Sequence, residues 1–142
     1  MFKKILIPID VDQESSWTRA VPVAEQLAAD YGAELHAIVV VPAMGMSVVG
    51  SFFPPDFEEK ALATAAEKLN EIVGSCAKNA AAVHTHVAHG TIYEEVLSVA
   101  DKLGCDLIVM TSHRPELKDY LLGPNAARVM RHAKQSVFIV RD

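Results

Sequence analysis

The clearest indication of the fold lies near the start of the chain, in the sequence Ile5-Leu6-Ile7-Pro8-Ile9-Asp10. Its apolar residues follow one another without polar alternation, and most are β-branched, which predicts a strand buried on both faces in a parallel sheet. Pro8 has no backbone N–H for a neighbouring strand, so the strand is expected to end there. Asp10 is therefore expected at the carboxyl-terminal tip of a central strand.

The rest of the chain alternates between strand and helix patterns. Further strands are predicted at residues 35–41, 83–88, 106–110 and 137–140, and helices at residues 15–31, 56–76, 91–103 and 124–133. The third of the five strands alternates apolar residues with His84 and His86, which is typical of an edge strand. Thr91 and Glu94 have the spacing of a capping box, and Met130 is expected on the buried side of the last helix. This regular alternation predicts a doubly wound α/β domain, a five-stranded parallel sheet with helices on both faces.

The size and composition of the chain exclude several classes of protein. A chain of 142 residues has room for one domain, residues 1–142, built around a single sheet. Hydrophobic residues make up 51% and charged residues 22%, which is too apolar for a disordered chain. Thirteen Lys and Arg against eighteen Asp and Glu give a net charge of −5. Nucleic acid is therefore not expected as a partner, because no basic field is available to hold its phosphates.

The two cysteines and the lengths of the apolar runs predict the cellular compartment of the protein. Cys76 and Cys105 lie in no CxxC pair, so they are expected to be reduced core residues. No run approaches the roughly 20 apolar residues that would span a bilayer, so no membrane span is expected. The apolar run after Lys4 is too short for a signal peptide. These features predict a cytoplasmic protein.

The tips of the predicted strands are the expected location of a ligand, because doubly wound sheets bind ligands outside the carboxyl ends of their strands. The tip residues are Pro8, Ile9 and Asp10 on the first strand, Val40 on the second, and Met110, Thr111, Ser112, His113 and Arg114 on the fourth. The following helix begins near Gly123, and helix N-termini attract phosphate through unpaired N–H groups. Arg114 and Lys118 add positive charges. An alternative is that Gly123 is only a cap, Pro124 the usual first-turn proline, and the two cations solvated charges.

Several segments of the chain resemble the universal stress protein family, and the resemblance covers nearly the whole sequence. These segments are Ile5-Leu6-Ile7-Pro8-Ile9-Asp10, Asp106-Leu107-Ile108-Val109-Met110, Ser112-His113-Arg114-Pro115, Tyr120-Leu121-Leu122-Gly123, Asn125-Ala126-Ala127, Val129-Met130-Arg131-His132-Ala133 and Ser136-Val137-Phe138-Ile139-Val140-Arg141. In combination they are similar to the small F/G-type bacterial members. The resemblance implies a fold like that of the adenine nucleotide alpha-hydrolases, with strand order 3-2-1-4-5, and a role as a stress-response regulatory module.

The resemblance also implies a site for ATP, or for ADP or AMP, and allows Mg²⁺ as a companion ion. Members that bind ATP carry a Gly-x2-Gly-x9-Gly-Ser/Thr loop that holds the ribose and phosphates. Here Thr111 stands at the first glycine and Arg114 or its neighbour at the second, and the spacer is one residue shorter. Pro124 replaces the hydroxyl residue. The expected nucleotide-binding residues are Pro8, Ile9, Asp10, Val40, Met110, Thr111, Ser112, His113, Arg114, Gly123, Pro124 and Asn125.

Pro124 is the most serious departure from the family loop. Proline has neither a hydroxyl nor an amide hydrogen, so two donors for a terminal phosphate are missing. Each lost charge-assisted hydrogen bond costs on the order of 1.5 to 3 kcal/mol if nothing replaces it. The amides of Gly123 and Asn125 and the side chain of Arg114 are candidates to compensate. The sequence therefore predicts nucleotide binding that is weakened or biased toward fewer phosphates.

The last strand is the expected dimer interface, formed by Val137, Phe138, Ile139 and Val140. An uncovered apolar edge recruits another strand, and family members commonly pair this strand across a two-fold axis, so a homodimer is expected. The competing interpretation is a nucleotide-free dimeric interaction protein that uses the apolar loop 42–55 to contact a partner. Met44, Met46, Phe52 and Phe53 give that loop its apolar character.

Other constellations give weaker functional signals. His84 and His86 share a strand face and could chelate a metal, but no carboxylate or cysteine accompanies them in the pattern, so they are interpreted as a surface pair and no metal site is predicted. His113 beside Ser112 lacks the third member of a catalytic triad. No catalytic residue is predicted, and any ATP hydrolysis is expected to be slow.

Overall fold

The fold is a single parallel sheet with helices on both faces. The computed structural model describes residues 1–42, 56–112 and 123–141. Within these ranges the strands are β1 (Lys4–Pro8), β2 (Glu34–Pro42), β3 (Val83–Gly90), β4 (Leu107–Thr111) and β5 (Ser136–Val140), and the helices are α1 (Ala20–Tyr31), α2 (Phe57–Cys76), α3 (Ile92–Leu103) and α4 (Pro124–His132). All strand pairs are parallel and the order is β3-β2-β1-β4-β5. The predicted fold class and the strand order 3-2-1-4-5 are confirmed.

β1 is central because its side chains are buried on both faces. Ile5, Leu6 and Ile7 have at most 1% of their surface exposed. Ile5 and Ile7 belong to the core that α1 and α2 cover, whereas Leu6 belongs to the core under α3 and α4. Burial of a side chain of this size is worth about 1.5 to 3 kcal/mol, so the apolar run holds the two layers together.

The chain between β1 and α1 differs from the prediction. The helix predicted from residue 15 begins at Ala20, and Glu14–Ser16 form a short 3-10 turn. The Ser16 hydroxyl accepts a hydrogen bond from the Asp10 N–H at 2.9 Å and donates one to the Asp10 carbonyl at 3.0 Å. This polar group folds the segment back onto the tip of β1, which delays the start of the helix.

Two local predictions about helices are wrong. Thr91 occupies the N-cap of α3, but its side chain makes no capping hydrogen bond, and Glu94 instead accepts a hydrogen bond from the Tyr93 hydroxyl at 3.3 Å. Met130 of α4 is 47% exposed rather than buried. α4 has nine residues, and Ala126 and Val129 supply its buried side.

The edges of the sheet are formed by β3 and β5. The prediction that the strand beginning at Val83 is an edge strand is confirmed, and this strand continues to Gly90. Gly90 has φ +144°, and a Cβ at this position would lie 2.8 Å from Glu95 Oε1. Glycine is therefore required where β3 turns into α3.

Candidate functional site

A cleft of about 1160 Å³ opens at the carboxyl ends of β1, β2 and β4. β1 pairs with β2 on one side and with β4 on the other, so the helices that follow β1 and β4 lie on opposite faces of the sheet. The strand ends separate at that point and leave a crevice, which is where doubly wound sheets bind their ligands. The location agrees with the predicted strand tips.

The tip of β1 forms the floor of the cleft. Pro8, Ile9 and Asp10 all line it. Ile9 is only 4% exposed, and its N–H donates to the Ile38 carbonyl at 2.8 Å, which extends the contact between β1 and β2 beyond the strand itself. Ile9 thus gives the cleft an apolar floor next to the carboxylate of Asp10.

The Asp10 backbone is held by Ser16, as described above, and its side chain by the next turn. Asp10 Oδ1 accepts a hydrogen bond from the Asp12 N–H at 3.0 Å. Asp10 is otherwise exposed toward the cleft. The carboxylate is therefore oriented by the protein and is accessible to hydroxyl groups of a ligand.

The opposite wall contains the end of β4 and the start of α4. Met110, Thr111, Ser112, Gly123 and Asn125 line it. Gly123 is the buried N-cap of α4, and the Ala127 N–H donates to its carbonyl at 3.0 Å. The N–H groups of the first helical turn have no partner within the helix, so they are available to an anion.

Pro124 is the first residue of α4, and it differs from its neighbours in the wall. It is exposed and is not among the residues that line the cleft, unlike Gly123 and Asn125. Proline is favourable at the first position of a helix because its φ is already helical and its missing N–H leaves no bond unmade there. It also provides one N–H donor fewer at the start of α4 than any other residue would.

Some of the predicted site residues lie outside the described residues. His113 and Arg114, together with Lys118, belong to the range 113–122, and most of the apolar loop 42–55 belongs to the range 43–55. Val40 does lie in the cleft, with its neighbours Val41 and Pro42. Among the described residues, the structure therefore brings together every predicted nucleotide-binding residue except Pro124.

One wall of the cleft was missed by the sequence interpretation. α2 contributes Lys60, Thr64 and Lys68 at four-residue steps, which places them on one side of the helix. Lys60 Nζ lies 2.9 Å from Asp56 Oδ2, and Lys68 Nζ lies 3.7 Å from Asp12 Oδ1. The i, i+4 spacing was a usable signal, but it does not reveal that this side of α2 faces the strand tips.

Both lysines of α2 face the cleft, and each is paired with a carboxylate. Both lysines and both carboxylates are largely exposed to solvent, so each pair contributes about 0 to 1 kcal/mol to stability. An anion that binds in the cleft can therefore replace either carboxylate as the partner of a lysine at small cost.

The other candidate groups do not form a reactive centre. Burial raises the pKa of the Cys105 thiol to about 11, and burial together with the Glu25 charge raises the pKa of Cys76, so both free thiols stay protonated and unreactive. In residues 1–42, 56–112 and 123–141 no group of three or more His, Cys, Asp or Glu could hold a metal ion. No helix in these ranges is both long and apolar enough to cross a membrane.

The predicted dimer strand lies at the edge of the sheet beside β4. Phe138 is 43% exposed, Val137 and Ile139 are half-buried, and Val140 is buried in the core under α1 and α2. Among the described strands, β5 pairs with β4 alone. Its outer edge therefore lies at the end of the sheet, and its Phe138 ring is exposed.

Comparison with known proteins places the chain in a family. The model of the universal stress protein family matches residues 1–141. Universal stress protein G of Shigella flexneri is 34% identical over 143 residues, with 99% of this chain and 100% of the relative covered, and the protein of that name from Escherichia coli O157:H7 gives the same values.

Solved structures give the same result. A universal stress protein in complex with cAMP is 25% identical, has a TM-score of 0.62, and is covered over 97% of its length by 99% of this chain. Universal stress protein UspA from Lactobacillus plantarum has a TM-score of 0.69 at 21% identity, with 98% of this chain and 97% of that chain covered, and supports the fold. The chain belongs to the universal stress protein family.

Proposed function

We propose that this protein binds ATP or a related adenine nucleotide in the cleft and acts as a stress-response regulatory module. The observation that carries the proposal is the convergence of the oriented Asp10 carboxylate and the N-terminus of α4 on one cleft. The universal stress protein solved with cAMP supports the choice of an adenine nucleotide. The cytoplasmic location stays a prediction.

The geometry suggests an orientation for the nucleotide. The base lies on the apolar floor formed by Pro8 and Ile9, next to the backbone of Val40. Asp10 accepts hydrogen bonds from the ribose hydroxyls. The phosphates lie near Thr111 and Ser112 and the start of α4, where hydroxyl and amide donors converge.

The remaining residues complete the proposed site. The residues assigned to it are Pro8, Ile9, Asp10, Val40, Met110, Thr111, Ser112, His113, Arg114, Gly123, Pro124 and Asn125. Lys60 and Lys68 of α2 are added by the structure as cations at its edge. Mg²⁺ is compatible with the proposal as an ion that accompanies the phosphates. Any hydrolysis is expected to be slow, because the described residues that line the cleft include no paired nucleophile and base.

The nucleotide that accompanies the purified protein tests this proposal. Freshly purified protein is denatured, and the released small molecules are separated by chromatography and identified by mass. We expect ATP, ADP or AMP in the supernatant and none in a mock purification from cells that lack the protein. A protein that releases no nucleotide, and that also ignores all three when they are added back, would contradict the proposal.

Changing Pro124→Ser is expected to strengthen ATP binding at least about tenfold, because the new hydroxyl and N–H offer a charged phosphate two further donors, and a single one that is made well is worth about 1.5 kcal/mol. AMP is the matched control ligand. Its affinity should change much less, since it lacks the terminal phosphates. Calorimetric titration of both proteins with both nucleotides measures the effect, and equal ATP affinities would remove Pro124 as the cause of weakened binding.

We propose in addition that the protein forms a homodimer through β5. The exposed Phe138 ring and the free strand edge support this surface. Phe138→Asp is expected to convert the dimer to a monomer in sedimentation velocity runs, because a charge would be buried at the two-fold interface. Met130→Asp is the matched control, since Met130 is 47% exposed but lies on α4, and it should leave the dimer intact. A monomeric wild-type protein would refute the interface.

The competing function is a nucleotide-free dimeric interaction protein that uses the loop 42–55 to contact a partner. The observation that favours it is Pro124, which removes a donor at the start of α4. This alternative predicts an empty protein that remains dimeric. The nucleotide analysis and the sedimentation runs together distinguish the two functions.

A further inference from the structure

A cluster of histidines joins β2 to the edge strand β3, on the face of the sheet that α3 covers. His36 is 6% exposed and is the one polar or charged residue among the described residues that is buried. Its Nδ1 lies 2.9 Å from His86 Nε2, and its Nε2 lies 3.2 Å from Glu34 Oε1. Glu34, His36 and His86 are therefore linked in one hydrogen-bond network. This network lies outside the proposed nucleotide cleft.

This hydrogen-bond network determines which ring nitrogens of His36 and His86 carry hydrogens. The Glu34 carboxylate only accepts, so His36 Nε2 carries a hydrogen and donates to it. In a neutral His36 the Nδ1 is then an acceptor, and His86 Nε2 must donate. If His36 is protonated, its Nδ1 donates to the Nε2 of a neutral His86, whose own proton then lies on Nδ1. Protonation of both rings would place two N–H groups against each other at 2.9 Å, so the contact requires that at least one ring is neutral.

The surroundings add positive charge to this cluster. His84 stacks on His36 with ring centroids 4.8 Å apart, and Lys4 of β1 contributes a further positive charge near His36. Glu34 is the negative group that faces His36, and His84 Nε2 lies 4.0 Å from its Oε1. The Glu34 carboxylate is therefore shared by His36 and His84, whereas the charges that act on His86 are those of the other two imidazoles.

α3, which packs on this face, supplies apolar side chains such as Val96 and Leu103 to the underlying core. Its charged residues Asp101 and Lys102 are exposed, and Glu95 lies at the far end of β3 beside Gly90. Among the described residues, Glu34 is the carboxylate whose charge acts on His36, so each proton that the cluster takes up after the first increases the repulsion between its rings.

We propose that Glu34, His36 and His86 form a pH-dependent clasp that holds the edge strand β3 on β2 while at least one of His36 and His86 is neutral, and releases it when both are protonated. Among the described strands β3 pairs with β2 alone, so the loss of this contact loosens a strand that has no second neighbour to hold it. The consequence is a sheet edge that opens reversibly in mild acid.

The direction of the pH effect follows from burial. Desolvation of the rings is the main cause that lowers the pKa of His36 and of His86 below the ordinary value of 6.5, and the charge of His84 lowers both further. In the unfolded chain these two histidines bind protons near pH 6.5, whereas in the folded chain they bind them only at lower pH. Stability conferred by the clasp is therefore complete above pH 6.5 and is lost as pH falls through the lower folded pKa values.

Histidine resonances measured by NMR from pH 8 to 5 test the clasp directly. We expect His36 and His86 to titrate together, below the ordinary histidine pKa of 6.5. Amide hydrogen exchange, corrected for the intrinsic effect of pH, should lose protection in β3 before it does so in β4. Titration of both rings at or above pH 6.5, or equal loss of protection in β3 and β4, would overturn the proposal.

A substitution gives an independent test. His86→Gln keeps a side-chain donor opposite His36 but removes the titrating ring, and His132→Gln is the matched control. In urea unfolding, the ratio of folded to unfolded wild-type protein should fall between pH 6.5 and 5.5, by up to about tenfold for each proton that only the unfolded chain binds. His86→Gln should remove a large part of that fall, and His132→Gln should retain it. Equal slopes for wild type and His86→Gln would refute the clasp, and the NMR titration decides if His86→Gln does not fold.

Discussion

Asp10→Ala is expected to weaken ATP binding by about tenfold to one hundredfold, the equivalent of one or two hydrogen bonds to a charged group at about 1.5 to 3 kcal/mol in total. The carboxylate is oriented by the Asp12 N–H and is exposed in the cleft, so it can accept hydrogen bonds from ribose hydroxyls. Fluorescence anisotropy with a labelled ATP measures the affinity. Folding should be retained, because Asp10 is exposed and its backbone hydrogen bonds to Ser16 do not involve its side chain.

Asp30→Ala is the matched control for this substitution. It removes the same charge from an exposed carboxylate on α1, whose Oδ1 accepts a hydrogen bond from Gln26 Nε2 at 3.0 Å, and it does not line the cleft. ATP affinity should stay at the wild-type value. Equal affinities for Asp10→Ala and wild type would mean that the nucleotide is not bound at the tip of β1.

Leu69→Ala is expected to lower the free energy of unfolding by about 2 to 5 kcal/mol, because the substitution removes buried methyl groups and leaves a cavity. Leu69 is 0% exposed in the core between α2 and the sheet. α2 also carries the lysines that line the cleft, so this packing is what positions Lys60 and Lys68. Urea unfolding at neutral pH measures the loss.

Glu67→Ala on the same helix is the control for Leu69→Ala. Glu67 is exposed, and a surface substitution of this kind changes stability by about 0.5 kcal/mol or less. A loss of less than about 1 kcal/mol for Leu69→Ala would contradict the packing of α2 on the sheet. The cleft would then lack one of its walls.

The sequence was informative where burial and periodicity determine the structure. The uninterrupted apolar run at Ile5, Leu6 and Ile7 identified a central strand. Helices cover both faces of such a strand, so all of its side chains are buried and apolar. The alternation of strands and helices then restricted the topology to a doubly wound sheet. The strand tips followed from the rule that such sheets bind ligands at their carboxyl ends, and nine of the predicted residues indeed line the cleft.

The start of α1 and the contact between His36 and His86 could not be predicted, because they depend on contacts outside the local sequence pattern. The α1 helix starts late because Ser16 bonds to the backbone of Asp10, a choice that local propensity does not reveal. The hydrogen bond between His36 and His86 arises from the register of β2 and β3, in which Ile38 is opposite His86. His86 had been interpreted as part of a surface pair with His84, because a pattern along one strand carries no information about its neighbour.

The residue type at position 124 and its place in the structure lead to different expectations about phosphate binding. As a residue type it removes a hydroxyl and an N–H from the loop of the family's ATP-binding members. In the structure it begins α4, is exposed, and leaves Gly123 and Asn125 as the lining residues. We therefore expect the start of α4 to bind an anion with fewer donors than in those members, and the site to bind a nucleotide with less preference for the terminal phosphate.

Calorimetric titration of nucleotide-free protein with ATP is the most direct test of nucleotide binding in the cleft. We expect saturable heat, one nucleotide per chain, and a dissociation constant of roughly micromolar order. ADP and AMP should compete for the same site. Absence of heat with all three nucleotides, in protein that is shown by circular dichroism to be folded, would contradict the proposed function and favour the interaction protein.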